Sequence, residues 1–147
     1  MWNTVSDTKT IGNLMHSVGF FHDSCIKEIR YISGAYVDKE QFMQPTNLCR
    51  KLSVIIQTQK CDTPIIELEF SKLKILRLVP LDDRYTCEIQ CSTLLLEHGL
   101  FYWFDCDGMS SCDIDRYNGI TVCAEELRWR VINVALEDQE FFVKRTD

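Results

Sequence analysis

The chain predicts an α+β fold: one amphipathic N-terminal helix followed by a mainly antiparallel, curved β-sheet of about seven or eight strands. Three observations carry that expectation. Apolar residues recur at helical spacing only between Ile11 and Val18, and the period falls to two through most of residues 28 to 134. The strand-like segments are joined mostly by short turns, which favours an antiparallel sheet over βαβ units. At 147 residues, 46% of them hydrophobic, the chain has the size and the apolar content of a single domain, 1–147.

The helix comes first. Ile11, Leu14, Met15 and Val18 stand at i, i+3, i+4 and i+7, Ser6, Asp7 and Thr8 offer N-caps, and Gly19 is placed to end the segment. Gly12 inside it costs about 1 kcal/mol relative to Ala, so the helix is expected to depend on docking against the rest of the domain.

Strand patterns follow. Ile29, Tyr31, Ala35 and Val37 share one parity, and Leu52, Val54 and Ile56 share another, with a mobile loop expected from Asp38 to Asn47. In Ile66-Glu67-Leu68-Glu69-Phe70 the alternation is clean and puts both glutamates on the solvent face. Leu73 and Ile75 start in phase, but Leu76 and Leu78 continue out of phase, a slip that predicts a β-bulge. Pro80 to Asp83 reads as a turn, and Arg84 to Leu96 as one long strand. His98-Gly99 makes a tight connection into Leu100-Phe101-Tyr102-Trp103-Phe104, whose continuous apolar run suits a strand covered on both faces. A polar loop from Asp107 to Gly119 leads into one long strand or two over Ile120 to Val134, with a second slip around Ala124 to Glu126. Phe141-Phe142-Val143 predicts a last short strand. Trp103 and Trp129 fall in strand patterns and are expected in the core or at its edge, whereas Arg128 and Arg130 are expected on a solvated face, with pairing to nearby carboxylates as the lesser alternative.

Eight cysteines in a chain with its own core do not call for a disulfide framework; Cys87 and Cys91, which share the apolar parity of Tyr85 and Ile89, read as small buried hydrophobes. All eight are expected to be reduced. No C-x-x-C occurs, so the usual zinc-ribbon and thioredoxin patterns are missing, and neither a metal nor a cofactor is expected. No apolar run reaches the length of a membrane span and the N-terminus has no signal-peptide pattern, so the expected location is the cytoplasm. The net charge of −6 lies almost wholly in residues 105 to 147, which carry ten acids and five bases. Such a surface repels nucleic acid and attracts a basic partner.

Two segments are candidate sites. His22, Asp23 and Ser24 stand where the helical pattern gives way to strands; the expected role is structural, with Asp23 or Ser24 capping backbone groups there. A site for metal-dependent phosphohydrolysis would need further histidines on helices, and the chain has only His16 and His98 besides. Asp105, Asp107, Asp113 and Asp115 place four carboxylates within eleven residues, the best candidate for a cation loop, but Gly108 and Arg116 stand where an EF-hand loop does not want them. The same loop is the candidate binding surface for a basic protein. No G-x-S-x-G elbow, Walker A loop or dinucleotide fingerprint occurs, and enzyme activity is the least expected of the readings.

One combination reaches beyond class. The amphipathic helix leading into Phe21-His22-Asp23-Ser24, then Ile26-Lys27-Glu28-Ile29, then Glu67-Leu68-Glu69-Phe70-Ser71-Lys72-Leu73 resembles small uncharacterised bacterial families, some of them grouped with immunity proteins of polymorphic toxin systems. The resemblance implies a non-enzymatic cytoplasmic protein that neutralises a toxin domain by binding it, and it carries over no catalytic residue. The alternative expectation is a small-ligand or cation-binding domain that uses the Asp105 to Asp115 loop.

Overall fold

A computed structural model describes residues 1–46, 49–79 and 88–132. Its order begins with a strand the sequence patterns do not reveal, β1 (Asn3–Val5), and continues with α1 (Thr8–Ser17). Asp7 is the N-cap: its carboxylate accepts from the Thr10 backbone N–H at 2.7 Å, and the Thr10 hydroxyl receives the Asp7 N–H at 3.0 Å. Ile11, Leu14, Met15 and Val18 are all buried. Each such burial contributes roughly 1.5 to 3 kcal/mol, which outweighs the Gly12 cost several times over. The helix is thus held by docking, against the strand that follows residue 92 among others.

The sheet strands are β2 (Ser24–Ile32), β5 (Lys51–Gln57), β6 (Ile65–Arg77), β7 (Glu88–Ile89), β8 (Thr93–Glu97), β9 (Leu100–Phe104) and β10 (Thr121–Val131); β3 (Tyr36–Val37) and β4 (Met43–Gln44) make a separate two-stranded ribbon. Neighbours in the main sheet run β7-β2-β5-β6-β10-β9-β8, all antiparallel, with β1 added beside β10. The sheet curls into a half-barrel. Its inward residues, including Leu52, Val54, Ile56, Leu68, Phe70, Phe101, Trp103 and Leu127, form one core cluster with the buried side of α1. The expected class, one helix with a curved antiparallel sheet, is the class observed.

Several details differ from the sequence expectation. The slip in the segment from Leu73 is real: β6 carries an extra residue, Lys74, where pairing passes from Cys123↔Ile75 to Ala124↔Leu73. The slip expected separately near Ala124 is the same irregularity seen from β10, which otherwise runs unbroken. Arg84 to Leu96 is not one strand in its described part. The chain leaves the ladder at Gln90–Ser92 because the Ser92 N–H turns to the Phe20 carbonyl at 2.9 Å, so β7 pairs β2 at one end of the sheet while β8 pairs β9 at the other. In the expected mobile loop, residues 38–46 are organised: the Asp38 carboxylate accepts from the Glu40 and Phe42 N–H groups and from the Gln44 amide, and β3 and β4 pair across it. The turn expected at 80–83, the strand start at 84–87, Tyr85, Cys87, residues 47, 133 and 134 and the strand at 141–143 lie outside the described residues.

His98-Gly99 joins β8 to β9 as a two-residue hairpin, Glu97 facing Leu100, with φ of +51° and +76°. Two successive left-handed residues match the twist of the strands, and glycine takes the second at no steric cost. The seven described cysteines form no disulfide with one another; Cys123 is buried, and its burial pushes the thiol pKa up.

Candidate functional site

At the helix-to-strand junction the backbone does the work expected of the side chains. Gly19, Phe20, Phe21 and Asp23 all have φ between +55° and +59°. The bend is fixed by the fully buried Phe21 ring, by the His22 N–H on the Gly19 carbonyl at 2.9 Å, and by Ser92, whose N–H and hydroxyl both reach the Phe20 carbonyl. The Asp23 carboxylate meets the His22 ring at 2.9 Å in solvent, where the two side chains are 46% and 64% exposed. Ser24 is buried and its hydroxyl donates to the His22 carbonyl at 3.4 Å, a long bond. Of the two expected caps, Ser24 bonds a backbone carbonyl, while Asp23 pairs with His22 at the surface. An open recess beside it is lined by Asp23, Cys25, Gln57 and Glu88, and the His22 ring is engaged by Asp23 rather than by Ser24 or Cys25.

The acidic loop is tied down piece by piece. Asp105 accepts from the Tyr117 hydroxyl at 2.6 Å and the Ile120 N–H at 3.1 Å. Burial, then the Asp105 carboxylate, push the Tyr117 phenol pKa far up, and its ring packs edge-on against Phe104 at 6.0 Å. Asp113 accepts the Ser110 hydroxyl at 2.7 Å and N–H at 2.8 Å, which hold its carboxyl below the ordinary aspartate range. Arg77 donates to the carbonyls of Ile114 and Tyr117, and Ser111 bonds Glu97. The loop is largely exposed, as expected from the sequence, and is tied as a strap to β6 through Arg77 and to β8 through Thr93 and Glu97. Asp107 and Asp115 point to solvent, while Asp105 and Asp113 serve their own loop. Among the described residues no group of three or more His, Cys, Asp or Glu side chains is placed to hold a metal ion.

Two features come into view only in three dimensions. The first is an apolar ribbon. Of nine exposed large hydrophobic residues among those described, six, Tyr31, Ile32, Tyr36, Val37, Phe42 and Met43, lie between residues 31 and 43, and Val37 faces Met43 across β3 and β4. The pattern that would have shown it, apolar residues bunched around Asp38 and Gln41 without a buried partner strand, was legible only as a loop.

The second is a groove of about 580 Å³. One edge of β10 is shared by two strands, β9 beside Thr121–Ala124 and β1 beside Leu127–Trp129, so Glu125 and Glu126 lie in the gap between them. Val5, Leu96, Phe101 and Leu127 contribute apolar surface. Charge of both signs rings it: Lys72 reaches Glu126 at 2.5 Å, and Lys51 and Arg128 reach Glu69 at 3.8 and 2.7 Å. Lys74, on the wall shared with a shallower recess, bonds Glu125 at 2.5 Å and holds that carboxyl below its ordinary range, while Glu126 holds the Lys72 ammonium above its own.

Arg128, on the groove wall, and Arg130 beside it take the alternative of carboxylate pairing rather than a solvated face. They pair with Glu69 and Glu67, directly across the β6–β10 ladder, and both guanidiniums stack on Trp2 at 4.2 and 4.4 Å from the ring centre. The glutamates in turn are only 15% and 12% exposed.

Fold and surface together define a curled α+β half-barrel whose accessible features are an apolar ribbon, an acidic strap and a two-signed groove. No family model, no curated protein and no solved structure matches the chain.

Proposed function

We propose that the chain is a non-enzymatic binding protein that covers a basic protein partner, in the manner of the cytoplasmic immunity proteins that neutralise toxin domains. The ribbon carries this reading. Six large exposed apolar side chains fall within thirteen residues at the end of β2 and on the β3–β4 ribbon, and Tyr, Phe and Met are the side chains enriched at protein contacts. The net charge of −6 supplies the complement for a basic partner, and Asp107 and Asp115 on the strap extend that field. The ribbon follows β2 and the strap follows β9, so substitutions in one leave the other's sequence unchanged and contact and steering are tested separately.

The product of a gene flanking this one is the first partner to test, by co-expression and by inhibition of its toxicity. Binding that survives replacement of both Phe42 and Met43 by Ser would remove the ribbon from the contact. A flanking product that neither binds nor harms cells would count against the immunity role itself.

A further inference from the structure

We propose that the groove between β1, β9 and β10 is a binding site for a small zwitterion with an apolar body, of the amino-acid or dipeptide class. The volume of about 580 Å³ falls within the range of small-molecule pockets and exceeds what one bare charge would occupy. Its lining is electrically balanced, with Lys51, Lys72 and Arg128 set against Glu69, Glu125 and Glu126.

That balance decides the ligand class. At the Lys72–Glu126 pair an anion would leave Glu126 beside Glu125 and a cation would leave the Lys72 ammonium in the converse position, whereas Lys51, 3.8 Å from a Glu69 that Arg128 also holds at 2.7 Å, can turn to a ligand carboxylate without stranding Glu69. A zwitterion exchanges one internal pair for two external ones, its carboxylate meeting Lys72 and its ammonium meeting Glu126, so no charge is stranded. The pairs are open enough for the exchange, because the side chains of Lys72 and Glu126 are 45% and 55% exposed and such pairs are individually weak. Val5, Leu96, Phe101 and Leu127 give the ligand's apolar body a surface to cover. The opening is built into the topology, where β1 and β9 divide one edge of β10 and leave Glu125 and Glu126 between them, just past the register shift at Lys74.

The site is independent of the ribbon, and neither proposal depends on the other. Its test uses the full chain and leucyl-leucine, with N-acetyl-leucyl-leucine and leucyl-leucine amide as probes that each lack one charge. Heteronuclear NMR titration should show saturable shifts confined to the groove, and each blocked probe should bind at least about tenfold more weakly, a difference of about 1.4 kcal/mol. The double variant Lys72→Met, Glu126→Gln should keep the dispersed spectrum of the parent and lose the response to leucyl-leucine. The proposal is overturned by no saturable shift up to about 10 mM, where affinity is below any useful recognition. It is equally overturned if the blocked probes bind as tightly as the free dipeptide, or if the double variant responds like the parent.

Discussion

Asp23 shows how a residue's type can be legible while its reason is not. Its position at a change of period predicts a cap, yet its carboxylate is 46% exposed on His22 and its backbone sits at φ +55°. The two accounts separate cleanly. Loss of a cap would destabilise Asp23→Ala and Asp23→Gly alike, whereas left-handed backbone costs an alanine about 1 kcal/mol and a glycine almost nothing. Asp23→Gly is therefore expected to melt above Asp23→Ala, and equal melting temperatures would restore the cap. In the strap, four carboxylates were visible in the sequence, but not that Asp105 belongs to a tyrosine twelve residues away. That bond joins half-buried groups, so Tyr117→Phe should cost about 1 kcal/mol in thermal or denaturant unfolding. Asp113 predicts a pH effect of definite sign. Its folded pKa lies below the ordinary 3.8, so its contribution is fully present above that value and is lost as pH falls through the lower folded value. The Ser110 amide resonance should then titrate with a midpoint below 3.8, and a midpoint at or above it would remove Asp113 from the capping role.

At the scale of elements, periodicity found what is long and missed what is short or interrupted. α1, β5, β6 and β10 were legible because each repeats its pattern over enough residues to define a face, and β9 because its apolar run is unbroken. β1 has three residues and defines no period, yet it places Trp2 beneath two arginines. The break between β7 and β8 was hidden because Ser92, the residue that leaves the ladder, fits the polar parity of the strand it ends. The parity of Glu67, Glu69, Arg128 and Arg130 was read correctly as outward, but outward here does not mean solvated, since cross-strand pairing covers the carboxylates. Arg130→Ala should therefore be costlier than an ordinary surface change. It leaves Glu67, 12% exposed, with Ser53 at 2.7 Å as its remaining hydrogen-bond donor, a loss of about 2 kcal/mol once the partial exposure of Arg130 is allowed for. Pairing Arg130→Met with Glu67→Leu should recover most of that loss in equilibrium unfolding. A double variant no better than the single one would show that the pair contributes through packing on Trp2 rather than through charge.

Over the whole molecule, the exposed strap acids Asp107 and Asp115 and the apolar segment at 31–43 belong to different parts of the chain, and they should govern different rate constants. Charge acts at a distance, screened over about 8 Å at physiological salt, so Asp107 and Asp115 are expected to speed encounter with a basic partner without holding it. Asp113 is left unchanged in the test because its carboxylate braces the strap. Replacing Asp107 and Asp115 by Lys should slow association at low ionic strength, with the difference shrinking as salt rises, and should leave dissociation near the parent rate. Phe42→Ser with Met43→Ser should do the reverse, raising the dissociation rate while association changes little, because buried apolar contact is made after encounter. Kinetic binding at two salt concentrations distinguishes the cases. If the lysine variant associates as fast as the parent at low salt, the acidic strap has no part in partner capture. If the serine variant dissociates no faster, the ribbon's exposure must have another cause, and the argument for a protein contact loses the observation that carries it.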